Sequence, residues 1–191
     1  MNKWTLVTLK PVIEAMIFAS SRPLTLANIR QTIGDAPLEL IKQAIELLKR
    51  EYSEPNKGLE LVQVAKGYRI QTRPQYKQWV LRSGAKTGHR LSRAALETLA
   101  VIAYRQPVTR AEIEGIRGVD SSGTIRYLLS KNLIRIAGRK DVPGRPLLYG
   151  TTSYFLEVFQ LKSLKDLPRI EELDDSVKAR QNPLFDTKAA S

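Results

Sequence analysis

At 191 residues, with 42% hydrophobic and 26% charged positions, the sequence has the balance of a folded chain rather than a disordered one, and room for one or two domains. It holds no cysteine and a single histidine, which excludes disulfide staples, cysteine metal sites and any triad or metal centre built on several histidines. The formal charge of +12 favours a nucleic-acid neighbour and a solvated basic surface about equally.

That charge is spread over two halves. Residues 1–86 carry +7 and residues 87–168 carry +6, whereas residues 169–191 carry −1. No run approaches the roughly 20 apolar residues that a membrane span requires, and Glu14 interrupts the only early apolar stretch, so a cytoplasmic protein with no membrane partner is expected.

In chain order, residues 1–10 read as a lead-in and Pro11 as the first turn of a helix carrying Ile13, Met16, Ile17 and Phe18. Ser20-Ser21-Arg22-Pro23 breaks it. Thr25 caps a second helix with Leu26, Ile29 and Ile33, which Gly34 ends, and a third follows Pro37 with the stripe Leu40, Ile41, Ala44, Ile45, Leu47 and Leu48. Leu59 to Thr72 then reads as a hairpin with Lys66-Gly67 at its middle. A two-residue turn puts Leu61, Tyr68 and Ile70 on one face and leaves Val62 and Val64 on the other. Pro74 opens a short helix holding Tyr76, Trp79, Val80 and Leu81. Three helices, a hairpin and a helix make a winged helix, a helix-turn-helix with a β-ribbon attached.

Ser83 to Arg90, which contains His89, has linker composition, and the pattern then repeats. Ser92 caps a helix with Leu96, Leu99, Ile102 and Ala103 that stops at Gln106-Pro107. Thr109 with Glu112 is a capping-box signature for the next helix, and Arg117-Gly118-Val119 is its turn. A third helix from Asp120 or Ser121 buries Ile125, Leu128 and Leu129. Ile134 and Ile136 start a strand, Leu147 to Tyr149 return, and Tyr154, Phe155, Val158 and Phe159 close the unit. The predicted fold class is therefore α+β, mainly helical, with two tandem winged-helix domains. Residues 1–84 form the first, 85–90 the linker and 91–168 the second, and 169–191 are an expected disordered tail. Within that tail Pro183-Leu184-Phe185 is either a short docking peptide or, more simply, unused chain.

The most unusual stretch is Gly138 to Thr152, GRKDVPGRPLLYGTT. Pro143 and Pro146 bar a regular helix or central strand, and Arg139, Lys140 and Arg145 sit between glycines. It is a wing: a plain hairpin tip, or one whose tip binds a partner. Catalysis finds no footing. Asp120 and Asp141 are isolated, Glu112 is explained as a cap, and Glu112 and Glu114 point to different sides of their helix. The glycine-rich stretch lacks the phosphate-loop pattern, so no catalytic residue, cofactor, metal or small-molecule substrate is expected.

Two uses of the fold remain. A DNA reader would draw on Thr124, Arg126, Tyr127 and Lys131 of the second unit, a thin set for base edges. The third helix of the first unit exposes Glu39, Lys42, Gln43, Glu46 and Lys49, whose carboxylates oppose phosphate. Sequence-specific reading is disfavoured, while weak, non-specific phosphate contact by Arg139, Lys140 and Arg145 stays open. A protein-binding or dimerisation module fits better.

The run LSRAALETLAVIAYRQPVTRAEIEGIRGVDSSGTIRYLLSKNLIRIAGRKDVPGRPLLYGTT, Leu91 to Thr152, closely resembles the bacterial segregation and condensation protein B (ScpB) family, as do IEAMIFASSRPLT near the start and LKSLKDLPRIEEL near the end. The family's loop falls on residues 138–146 and its helix-turn-helix signature on Arg110, Ala111, Glu112, Ile113, Arg117 and Gly118. The resemblance implies a non-enzymatic, homodimeric subunit that binds the kleisin ScpA and, through it, an SMC ATPase. It also implies a nucleoid-associated role in chromosome condensation, partition and cell division. Arg139, Lys140, Asp141, Arg145 and Tyr149 are the expected kleisin contacts. Ile17, Phe18, Trp79 and Val80 are the expected dimer interface, each of them equally suited to a core. A winged-helix transcriptional regulator is the alternative.

Overall fold

The computed structural model describes residues 4–84 and 91–169; the expected linker with His89, and the chain from 170 onward, lie outside them. Helix α1 (Leu6–Ala19), strand β1 (Leu24–Thr25) and helices α2 (Leu26–Ile33) and α3 (Leu38–Ser53) lead into strands β2 (Leu59–Val64) and β3 (Gly67–Thr72), a 3-10 turn at Pro74–Tyr76 and helix α4 (Lys77–Arg82). The second unit runs α5 (Arg93–Arg105), β4 (Val108–Thr109), α6 (Arg110–Arg117), α7 (Ser122–Ser130), β5 (Ile134–Arg139), β6 (Leu147–Thr151) and α8 (Ser153–Val158). Each unit has a three-stranded antiparallel sheet, ordered β1-β3-β2 and β4-β6-β5. The chain is thus α+β, mainly helical, with two tandem winged helices.

Two apolar clusters hold these units. Leu9, Ile13 and Ile17 of α1 pack with Ile29 and with Ile41, Ala44, Ile45 and Leu48 of α3. Leu99, Ile102, Ile113, Ile125, Leu128, Ile134, Tyr149 and Phe155 lead the second cluster. Burying each such side chain is worth roughly 1.5–3 kcal/mol. Polar contacts fix how the elements meet. Tyr52 donates to Glu14 at 2.6 Å, tying α3 to α1, and burial together with that carboxylate pushes its hydroxyl up to about 12. The Arg73 guanidinium donates to the carbonyls of Tyr52 at 2.8 Å and Glu54 at 2.7 Å, satisfying orphan groups at the end of α3.

Three local expectations are corrected. Helix α1 starts at Leu6, not at Pro11. Thr5 and Thr8 cap each other reciprocally, a box made from two threonines in place of the usual threonine and glutamate. Pro11 sits inside the helix, where its missing N–H forfeits only a bond to the carbonyl of Val7, a residue 83% exposed and open to water.

The first hairpin turns on Ala65 and Lys66, with φ of 47° and 65°, so that Val64 pairs with Gly67 and Leu61 with Ile70. Leu61, Tyr68 and Ile70 do share the core face, as the sequence predicts. Gly67 is needed for a different reason from the turn. A Cβ there would lie 2.8 Å from the carbonyl carbon and oxygen of Pro23, where β1 crosses β3. Strands β1 and β4 themselves, two residues each, carry no periodicity that a sequence reading registers.

Gly67→Ala should therefore cost about 1–3 kcal/mol in a urea titration, because backbone rather than a movable side chain stands in the way. Gly58→Ala, where a Cβ meets nothing within 4 Å, should be nearly neutral in the same titration.

Candidate functional site

The wing grows out of β5 and β6. A bulge between Ile136 and Gly138 shifts the register, and the loop then tightens through Lys140 N–H to the Pro146 carbonyl and Arg145 N–H to the Val142 carbonyl, both 2.9 Å. Gly144 (φ 81°) and Arg145 (φ 40°) make the left-handed step that lets Pro146 return toward β6. The Arg139 guanidinium donates to the carbonyl of Arg145 at 3.0 Å, closing the mouth of the loop from outside. Asp141 and Arg145 lie at its exposed tip.

Lys140 reaches back 2.6 Å to Glu112, which also accepts from the backbone N–H of Thr109 at 2.8 Å as the cap of α6. The Lys140 ammonium first, and then the Thr109 donors, hold the Glu112 carboxyl down at about 2. One carboxylate thus caps the helix-turn-helix and anchors its wing.

Below that face lies a polar network. Thr98 and Ser121 are fully buried. The Arg117 side chain, 9% exposed, donates to Thr98 Oγ1 at 2.8 Å and to Glu97 at 2.9 Å. Thr98 in turn donates to the carbonyl of Ala94 at 2.9 Å. The hydrogen bonds from Arg93 and Arg117 keep the Glu97 carboxyl below its usual range. The helix-turn-helix signature residue Arg117 is therefore a brace between α6 and α5 rather than a surface cation.

The expected site residues divide. Arg139, Lys140, Asp141 and Arg145 come together on the wing, the first two already engaged within it. Tyr149, expected as a contact, is 8% exposed and belongs to the second core, because it alternates inward on the central strand β6. In the first unit Ile17, expected at an interface, is 1% exposed in the core beneath α1, whereas Phe18 is 71% and Trp79 56% exposed and Val80 is half-buried.

The sequence reading missed Val7, Pro11 and Ala15. With Phe18 they form one stripe along α1, uncharged, at helical spacing and exposed among the described residues. The signal was available: α1 is apolar on nearly every side.

The charges on α3 are neutralised along the helix, Glu39 with Lys42 at 3.3 Å and Glu46 with Lys49 at 2.6 Å. Those on α7 are not: Arg126 and Tyr127 are exposed, and the Lys131 ammonium lies 5.6 Å from the centre of the Tyr127 ring.

Two measurements check these assignments. Thr98→Val should lower stability by about 1–3 kcal/mol in denaturant, because it leaves a nearly buried guanidinium short of an acceptor. Glu112, depressed in the folded state, contributes stability above the ordinary carboxylate range that is lost as pH falls toward about 2. Glu112→Gln should therefore remove that part of the acid limb in a pH series of melts, and lower stability at neutral pH.

The model of the family described as segregation and condensation complex subunit ScpB matches residues 11–170. A segregation and condensation protein B of Syntrophotalea carbinolica is 48% identical over 185 residues, covering 97% of this chain and 93% of that one. Among solved structures, ScpB of Mycobacterium tuberculosis is 34% identical over 82% of this chain and 98% of its own, with a TM-score of 0.39. A dimer of an ScpB N-terminal domain complexed with an ScpA peptide matches 41% of this chain and 96% of its own, at 24% identity and a TM-score of 0.37. The match over 160 consecutive positions, on a chain that folds as two tandem winged helices with the wing held as described, places it in the ScpB family of segregation and condensation complex subunits.

Proposed function

We propose that this chain is a non-catalytic, homodimeric subunit of an SMC–ScpA–ScpB complex, which binds the kleisin ScpA and supports chromosome condensation and segregation during cell division. In this reading residues 1–84 dimerise, 85–90 link, 91–168 engage ScpA, and 169–191 are a tail. The SMC ATPase is reached through ScpA, and the protein works in the cytoplasm beside the nucleoid. Family membership across residues 11–170 is the observation that carries the reading.

The surfaces support the division of labour. The Val7, Pro11, Ala15 and Phe18 stripe offers α1 a self-complementary apolar face, which a two-fold contact requires. Trp79 and half-buried Val80 add apolar surface from α4. On the wing, a loop already stiffened by two prolines and two backbone hydrogen bonds loses little entropy on docking. Arg145 carries a guanidinium suited to bidentate pairing with a partner carboxylate. Arg139, Lys140 and Asp141 shape and flank the same loop.

A winged-helix DNA-binding regulator is the second reading. The +12 charge and the unpaired face of α7 favour it, and the self-neutralised α3 opposes it.

Light scattering after size exclusion separates the two. The protein alone should elute as a dimer, Phe18→Glu should shift it toward monomer, and ScpA from the same genome should join it in a larger defined complex. Arg145→Ala should weaken ScpA binding about 5- to 10-fold, as removal of an interface anchor does. A monomer that ignores ScpA but shifts with duplex DNA would establish the regulator instead.

A further inference from the structure

Where α6, α7 and β6 meet, a cleft of about 370 Å³ is lined by Arg110, Ser122, Ile125, Arg126, Leu129 and Tyr149. Its floor is apolar, since Ile125 and Tyr149 belong to the second core and Leu129 packs against it. The rim is cationic and underused. Arg110 is 59% exposed, pairs with Glu114 at 3.6 Å and also interacts with the Asp120 carboxylate. Arg126 is exposed and makes no hydrogen bond or ion pair among the described residues. Glu114 and Asp120 also accept from the Ser121 N–H at 3.2 Å and the Ser122 hydroxyl at 2.9 Å, and they offset Arg110, which leaves Arg126 as the available cation of the rim.

A second observation points to the same face. Gly123 lies in the first turn of α7, three residues before Arg126 and therefore on the same side of the helix. Glycine inside a helix costs stability relative to alanine, and here nothing among the described residues asks for it. Its φ is not positive, and an added Cβ would meet no atom within 4 Å. A bare backbone that the fold does not need leaves room for something outside the fold to come close.

We infer that this cleft is a docking site for an acidic segment of ScpA, one that seats an apolar side chain between Ile125, Leu129 and Tyr149. A carboxylate of that segment lies against Arg126, and its backbone passes over Gly123. The inference rests on the ScpA reading and adds a contact distinct from the wing tip. Charge selects an acidic partner, and the apolar floor selects a polypeptide over a duplex, because phosphate and sugar have nothing to place there.

The test is calorimetric titration of full-length ScpA from the same genome into the full-length wild type, Gly123→Ala, Arg126→Glu and Arg126→Lys, with a thermal melt of each. Gly123→Ala is expected to melt higher than wild type yet bind ScpA at least 5-fold more weakly, a pairing that damage to the fold cannot produce. Arg126→Glu is expected to weaken binding at least 10-fold with an unchanged melt, and Arg126→Lys to recover part of the loss. Wild-type affinity in either Gly123→Ala or Arg126→Glu overturns the inference while leaving ScpA as the partner. Failure of the wild type to bind ScpA overturns both. If Arg126→Glu loses affinity for a 20-base-pair duplex and keeps it for ScpA, the face is a nucleic-acid contact and the inference is wrong.

Discussion

The second winged helix depends on one nearly buried cation. Arg117 sits at the end of α6, where the chain must turn through Gly118 (φ 69°) before α7 can start. Its guanidinium crosses to α5 and finds Thr98 and Glu97, with the Ser121 hydroxyl beyond at 3.5 Å. Burying a guanidinium without acceptors would be prohibitive, so the angle between α5 and α6 is fixed by where those oxygens lie. Everything that faces outward is built on that angle: the cap on Glu112, the wing tethered to it, and the cleft between α6, α7 and β6.

The two units share an architecture and differ in how their third helices treat charge. On α3 Glu39 and Glu46 each have a lysine one turn away and Glu51 pairs with Lys10 of α1, while Lys49 also lies 5.3 Å from the centre of the Tyr68 ring. Such surface pairs add little stability, but they leave no net field to draw a charged ligand. On α7 Arg126 has no ion pair or hydrogen bond among the described residues, and Gly123 leaves bare backbone beside it. The same fold thus presents one electrically quiet face and one that attracts carboxylates. The apolar stripe on α1 lies in the same unit as the self-paired α3.

Much of this was legible in the sequence wherever a local rule acts. Thr25, Ser92 and Thr109 cap as their types demand, Gly34 and Gly118 end helices with positive φ, and Thr109 with Glu112 forms the box their spacing announces. What escaped was set by tertiary contact. Pro11 reads as a helix start because a proline in a helix interior usually breaks it, and only the solvent exposure around Val7 makes it tolerable. Gly67 reads as a turn residue because glycine usually is one, whereas its reason is the Pro23 backbone pressed against it. Ile17 and Tyr149 suit a surface or a core on chemistry alone, and burial, which no local pattern fixes for a single residue, decides for the core. The role of Arg117 was hidden for the same reason: its partners lie 19 and 20 positions away.

The shared carboxylate of Glu112 has a mechanical consequence. Because one group both terminates α6 and holds Lys140, the wing and the helix-turn-helix cannot be disturbed independently. A partner carboxylate that captures Lys140 frees Glu112 from its strongest hydrogen bond and leaves it to the Thr109 cap alone. The carboxylate that caps the first turn of α6 is thus also the pin of the wing, and a load on Lys140 is carried straight to the start of the neighbouring helix.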